Sequence, residues 1–396
     1  MRLRAPLASF AATFVLSFLL LPSAVVAQVH RLDDGLARTP PMGWNTWNKF
    51  GCDVSEKLIQ ETADALALSG MRDAGYRYLV IDDCWQVSRD SAGAIVADSQ
   101  RFPNGIKAVA DYVHAKGLLF GIYTDAGTKT CQGRPGTLDH EVQDARTYAA
   151  WGVDYVKEDW CNARGLNAPA QYRKFHDALV ATGRPIVLSI CEWGSNRPWD
   201  WAAGIGHLWR TTEDIEDRWP SMLTNLDASA VHQAVAGPGG WNDPDMLEVG
   251  NGGMTDDEYR AHLSLWAIVA APLIAGNDVR TMSAATRDIL TNREVIAVDQ
   301  DSLGVEGWMA EQSIPGLQVW SKPLRSGARA VALLNRTDAS AKVGVEWQDI
   351  GLPRGGRARV RDLWAHAERG THAGSYAVQV PPHGVVLVTI APVRGR

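Results

Sequence analysis

Short apolar runs that end in polar residues recur along most of the chain: "YRYLVIDDCW", "GLLFGIYTDAG", "VDYVKEDWC", "RPIVLSICEWG" and "APLIAGND". Such uninterrupted runs fit strands buried on both faces, as in a parallel sheet. Helical patterns lie between them. "SEKLIQETADALALSG" has Ser55 as a cap and Gly70 as a stop, and "TDDEYRAHLSLWAIVAA" opens with Thr255 and Glu258 at the spacing of a capping box. Strand and helix alternate at intervals of roughly 30 to 40 residues, which predicts a parallel sheet covered by helices. With "PMGWNTW" as the first strand and "HLWRTT" and "GGWNDPDML" as the sixth and seventh, eight units fit between residues 28 and 305. That number predicts a closed (β/α)8 TIM barrel. No glycine-rich phosphate loop follows the first strand, which argues against a dinucleotide-binding sheet.

From about Gly307 the period shortens. "GLQVWSKPL", "ARAVALLNRTD", "KVGVEWQDI", "ARVRDLWAH", "SYAVQVPPH" and "GVVLVTI" read as closely spaced strands, predicting an antiparallel β-sandwich over residues 306–396. No reactive constellation is visible there. "NRT" at Asn335 fits a glycosylation sequon, but its place in a predicted strand argues against occupancy. At the other end Arg2 and Arg4 precede an apolar run from Ala5 to Leu21, followed by the small residues of "SAVVAQ". This predicts a cleaved export signal over residues 1–27 and a periplasmic or extracellular protein. No later run reaches the roughly 18 apolar residues of a membrane span.

A net charge of −6 argues against nucleic acid or an anionic membrane as partner. The 16 tryptophans fit either core packing or stacking against sugar rings. Five cysteines in an exported chain leave one over. Pairing Cys52 with Cys84, and Cys131 with Cys161, would tie together regions that follow neighbouring strands and leave Cys191 free.

In a barrel, reactive groups gather at the C-terminal ends of the strands. Nearly every predicted strand ends in polar residues: Asp82 and Asp83, Tyr123 and Asp125, Lys157 and Asp159, Glu192, Arg210 and Asp214, Asp243 and Asp245. Lys157 and Asp159 share one face of an extended strand and Glu158 takes the other. The Lys157 ammonium should then lower the Asp159 pKa and keep a nucleophile ionised. Glu213, Glu216 and Asp217 surround Asp214 in sequence and should raise its pKa, as a general acid requires. One carboxyl of each kind points to glycoside hydrolysis. Asp82 and Asp83 suit hydrogen bonds to sugar hydroxyls, and Trp47 and Trp193 could form an apolar wall, while Trp241 fits the core as well. A metal hydrolase is the competing reading, with Asp82, Asp83, Asp243 and Asp245 around a hard cation. No HxH or HExxH pattern accompanies them, so no metal and no cofactor are expected.

"PMGWNTW", "YLVIDDCW", "GIYTDAGTKTC", "YVKEDWC", "SICEWG", "WRTTEDIED" and "AGPGGWNDPDMLEVGNGGM" run in one order and resemble glycoside hydrolase family 27, the retaining α-galactosidases. The resemblance implies a (β/α)8 barrel followed by an antiparallel β-domain, with Asp159 as nucleophile and Asp214 as acid/base. It implies a sugar site drawn from Trp47, Asp82, Asp83, Tyr123, Lys157, Cys191, Glu192, Trp193, Arg210, Asp245 and Met246. It also implies the pairs Cys52–Cys84 and Cys131–Cys161. The partners it implies are α-galactoside oligosaccharides or polysaccharide side chains. Relatives that act on β-L-arabinopyranosides lengthen one acid of the "DD" pair, and those that act on N-acetylgalactosamine replace the glutamate of "CEW". Both features are intact here, which favours terminal galactose. Glu158 departs from the usual aromatic residue at its position but should face away from the sugar.

Overall fold

Each apolar run becomes a strand in the structure, a computed structural model that describes residues 31–393. The expected export signal over residues 1–27 lies outside those residues. Eight parallel strands form the first sheet: β1 (Met42–Asn45), β2 (Tyr78–Ile81), β3 (Leu119–Asp125), β4 (Tyr155–Asp159), β5 (Val187–Ile190), β6 (Leu208–Arg210), β7 (Trp241–Asp243) and β8 (Leu273–Ala275). Their order is β8-β1-β2-β3-β4-β5-β6-β7. The ring closes just beyond β7, where the Leu247 amide donates to the Ile274 carbonyl at 2.8 Å and the Gly276 amide to the Leu247 carbonyl at 3.2 Å.

Alternation along the strands sorts side chains into two cores. Val80, Tyr155, Val187, Leu208 and Trp241 fill the barrel interior. Leu79, Ile81, Phe120, Ile122, Val156, Leu188 and Trp209 face the surrounding helices. Gly121 is obligatory for this packing, because a Cβ there would lie 2.6 Å from Val80 Cγ2. The same alternation puts Lys157 and Asp159 on the inner side of β4 and Glu158 on the outer. The helix Glu56–Leu68 starts at Ser55, whose hydroxyl accepts from the Leu58 amide at 3.2 Å. Gly70, at φ 90°, turns the chain into a second short helix, Met71–Ala74. Thr255 and Glu258 form the expected capping box of helix Asp256–Ile268.

Apart from a short antiparallel hairpin of Gln86–Arg89 with Ile95–Ala97, the remaining strands are β9 (Trp308–Ile314), β10 (Leu317–Pro323), β11 (Arg329–Asn335), β12 (Ala341–Glu346), β13 (Arg357–Asp362), β14 (Ala367–Ala373), β15 (Ser375–Val380) and β16 (Val385–Pro392). Six form an antiparallel sheet in the order β9-β10-β11-β16-β13-β14, and β12 pairs with β15 as a second layer. One face of the larger sheet sends Val319, Val331, Leu333, Val388 and Ile390 against the β12–β15 layer. The other sends Trp320, Ala332, Leu334 and Leu387 into the core beneath the barrel helices. Asn335 is fully buried and its side-chain amide donates to the carbonyls of Ala339, Val380 and Pro381, so no glycan fits there in the folded chain.

Two disulfides join strand ends, Cys52–Cys84 and Cys131–Cys161, with Cα separations of 5.2 and 5.0 Å. Cys191 is free and buried. Each bridge closes a loop of about 30 residues, so replacing Cys52 and Cys84 by alanine should cost about 3 kcal/mol of stability. Guanidinium denaturation of the double variant without reductant measures this; a loss below about 1 kcal/mol would remove the bridge as a stabilising element.

Candidate active site

The inner residues at the strand ends converge on a cavity of about 930 Å³ at the barrel mouth. Trp47, Asp82, Asp83, Tyr123, Lys157, Asp159, Trp193, Arg210, Asp214, Asp245 and Met246 all line it. Two expected members do not. Glu192 is fully buried and its Oε2 accepts from the backbone and side-chain amides of Asn196, so it braces its own turn. Cys191, also buried, lies with its sulfur 3.7 Å from Arg210 Nη1. Asn48, Lys49, Gln132, Glu216, Asp217, Glu248 and Asn251 also line the cavity without having been expected there. Of these, Glu216 and Asp217 carried a signal as acids beside Asp214, and Glu248 as an acid within the "DMLEVGNGG" run that follows β7.

Only Trp47 and Trp193 bring indoles to the cavity. Trp44, Trp85, Trp209, Trp241, Trp266, Trp320 and Trp347 are fully buried, Trp219 is also in the core, and Trp151, Trp160, Trp201 and Trp364 pack half-buried against it, so most of the tryptophan content serves packing.

Asp159 is held at both oxygens. Oδ1 accepts from the Trp160 amide at 2.9 Å and Oδ2 from the Tyr123 hydroxyl at 3.0 Å. Lys157 does not pair with it directly; its Nζ lies 2.9 Å from Asp82 Oδ2, which also accepts from Asn45 Nδ2 at 2.8 Å. The expectation of a lowered Asp159 pKa is therefore reversed. Burial raises it to about 6, and the Lys157 charge, the Trp160 amide and the Tyr123 hydroxyl only limit the rise. Asp159 remains ionised near neutral pH with little margin.

Asp214 is reversed in the opposite sense. Glu216 and Asp217 line the same cavity but are bonded elsewhere: Glu216 pairs with Arg218, and Asp217 accepts from the Tyr259 hydroxyl. Burial acts to raise the Asp214 pKa, but the Arg210 and Lys157 charges outweigh that and hold it below the usual carboxylate value. Arg210 Nη2 lies 3.0 Å from Asp214 Oδ1 and 3.0 Å from Asp245 Oδ2. Asp245 is anchored in turn by the amides of Ile215 and Met246, each at 2.8 Å. The Asp214 side chain is 66% exposed at the mouth, against 4% for Arg210, so one end of this pair is open to an incoming molecule.

Asp83, with a pKa raised mainly by burial, accepts from the Cys84 and Gln132 amides at 2.7 and 3.0 Å. Asp125 bonds the Gly127 and Cys161 amides, each at 2.7 Å, and so joins the loops beyond β3 and β4. Cys84, Trp193 and Asp245 all adopt positive φ, at 79°, 55° and 87°, where non-glycine residues are strained. Asp125, Cys131, Asp159 and Cys161 present ligand-type atoms within 4.8 Å of one another. Both sulfurs are spent in a disulfide and supply no thiolate, so the donor set does not fit a metal centre.

A sequence profile for alpha galactosidase A matches residues 39–301, and one for the alpha galactosidase C-terminal beta sandwich domain matches residues 315–390. The chain belongs to the alpha galactosidase A family. It is 50% identical over 368 residues to the alpha-galactosidase of Oryza sativa subsp. japonica, covering 92% of this chain and 88% of the rice protein. Among solved structures it resembles alpha-galactosidase I from Mortierella vinacea, with a TM-score of 0.89 and 40% identity over 91% of this chain and 98% of that one. A second is the Saccharomyces cerevisiae alpha-galactosidase with raffinose, with a TM-score of 0.86 and 33% identity over 91% and 99%. Membership of this family makes the chain a glycoside hydrolase.

Because the Tyr123 hydroxyl bonds the charged form of Asp159, Tyr123→Phe should raise the Asp159 pKa above its value of about 6, by about half a unit to one unit. A 13C carboxyl NMR titration, with Asp159→Asn to assign the resonance, reads the shift. An unchanged or lowered value would show that this bond does not stabilise the carboxylate.

Proposed function

We propose that the protein is an exported, exo-acting α-galactosidase that releases terminal galactose with net retention, Asp159 being the nucleophile and Asp214 the acid/base. The observation that carries this reading is that the two carboxyls share one cavity yet have opposed settings. Asp159 sits deep, 5% exposed and bonded by Tyr123 and Trp160, whereas Asp214 stands open on Arg210. The packed barrel interior closes the floor beneath them, so a chain end enters and an internal unit does not. The rice relative, at 50% identity, is an alpha-galactosidase, and the yeast structure contains raffinose.

In the first step an Asp159 oxygen attacks the anomeric carbon. The glycosidic C–O bond breaks, and Asp214 gives its proton to the departing oxygen. In the second, Asp214 takes a proton from water, whose oxygen attacks the same carbon and breaks the ester to Asp159. Free Asp214 is ionised by Arg210, so the acid role requires its pKa to rise in the complex. A sugar ring over the exposed Asp214 side chain removes its water, and desolvation favours the protonated form. Forming the ester also removes the Asp159 charge. Lys157, Asp82 and Asp83 would bind ring hydroxyls, with Trp47 and Trp193 against the ring. The two disulfides favour an oxidising compartment, and among the described residues no helix is long and apolar enough to cross a membrane.

Proton NMR of an aryl α-D-galactopyranoside undergoing hydrolysis tests the reading. The α anomer of galactose should appear before mutarotation, and Asp159→Asn should abolish release while keeping the folded-state spectrum. Initial β anomer, or turnover by the variant, would overturn the assignment.

Asp214→Asn separates the acid role from general damage. Alkyl galactosides, whose leaving groups need a proton, should lose about 100-fold or more in kcat, and nitrophenyl galactosides far less. Equal losses would exclude Asp214 as the acid.

A further inference from the structure

A second cavity, of about 320 Å³, lies beside the first between the loops that follow β1, β7 and β8. Lys49 lines both cavities. Its ammonium is close enough to act on the carboxylate of Asp217, in the first cavity, and on that of Asp278, in the second. The ridge between the cavities is Gly250–Gly253, whose one side chain, Asn251, faces the first cavity, while Gly250 and Gly252 line the second. A Cβ on Gly252 would meet nothing within 4 Å, so the ridge top is open. It is nevertheless fixed in place. The Gly252 amide donates to the Tyr259 hydroxyl at 2.7 Å, and that hydroxyl donates to Asp217 at 2.9 Å.

We propose that the smaller cavity is a leaving-group subsite, which holds a neutral sugar two or more units beyond the cleaved bond of an elongated α-galactoside. This rests on the α-galactosidase reading above. The larger cavity exceeds what one terminal galactose fills, so the next unit lies within it, and a chain crossing the glycine ridge enters the smaller one. The second cavity's chemistry fits a neutral polyol. Thr281 offers a hydroxyl, and Lys49 and Asp278 offer a donor and an acceptor of opposite charge. Met282, half buried, gives a thioether for a C–H face. Asp256 and Asp278 together disfavour an anionic ligand. Asp278 is already fixed by Arg280, with Nη2 2.8 Å from its Oδ2, so it is presented without reorganisation. Both volumes lie within the roughly 300 to 1,000 Å³ typical of ligand sites.

The test compares stachyose, a linear tetrasaccharide with terminal α-galactose, against p-nitrophenyl α-galactopyranoside, which has no unit able to reach the smaller cavity. Thr281→Trp fills that cavity from an exposed position, and Met282→Ala removes its apolar face. Each should lower kcat/KM for stachyose about fivefold while nitrophenyl galactoside stays within about twofold. Equal losses on both substrates, or no loss on stachyose in either variant, would overturn the subsite. If the unmodified protein hydrolyses neither substrate, the galactosidase reading falls and the subsite with it.

Discussion

Much of the barrel mouth depends on pairing the carboxylates that are taken out of water. An uncompensated buried charge costs several kcal/mol. The chain meets this with one device used repeatedly, a strand-end carboxylate turned back onto the amides of its own loop. Asp82 takes the Asp83 amide, Asp83 that of Cys84, Asp125 that of Gly127, Asp159 that of Trp160 and Asp243 that of Asp245. Loop and carboxylate therefore fix each other. Lys157 then reaches past β3 to Asp82 at the end of β2, and Arg210 reaches to Asp245 beyond the neighbouring β7, so that separate strands are tied by ion pairs. The strained backbone at Cys84, Trp193 and Asp245 belongs to this mouth, where the disulfide to Cys52 holds Cys84 and the Arg210 ion pair holds Asp245.

Much of this was legible in the chain because burial imposes a period. The eight strands, the helix caps at Ser55 and Thr255, and the shift to short strands after Gly307 all leave local patterns. Alternation along β4 alone separated Lys157 and Asp159 from Glu158. Electrostatics was less legible, since a pKa depends on neighbours in space. Lys157 is two residues from Asp159 but pairs with Asp82, and the acids beside Asp214 point at Arg218 and Tyr259. Glu192 and Cys191 were misplaced for a similar reason. The strand end sets their location, but the turn at Asn196 and the position of Arg210 decide where their side chains lie. Gln132 stands on a loop, and Lys49 on the one-turn helix Trp47–Phe50, whose courses no short-range pattern encodes.

The six-stranded sheet after the barrel feeds two interiors from alternate residues, one of its own and one continuous with the barrel's helical layer. The division seen along the sequence is thus not a division in folding. Cutting the chain between the two halves would strip the apolar cover from helix Asp256–Ile268 and leave Trp320, Leu334 and Leu387 facing water. Loss of order in either half removes part of the other's interior, so the polypeptide should melt as one cooperative unit despite its two architectures. The second half then serves as scaffold for the first, and the reactive mouth inherits its rigidity from residues that never approach it.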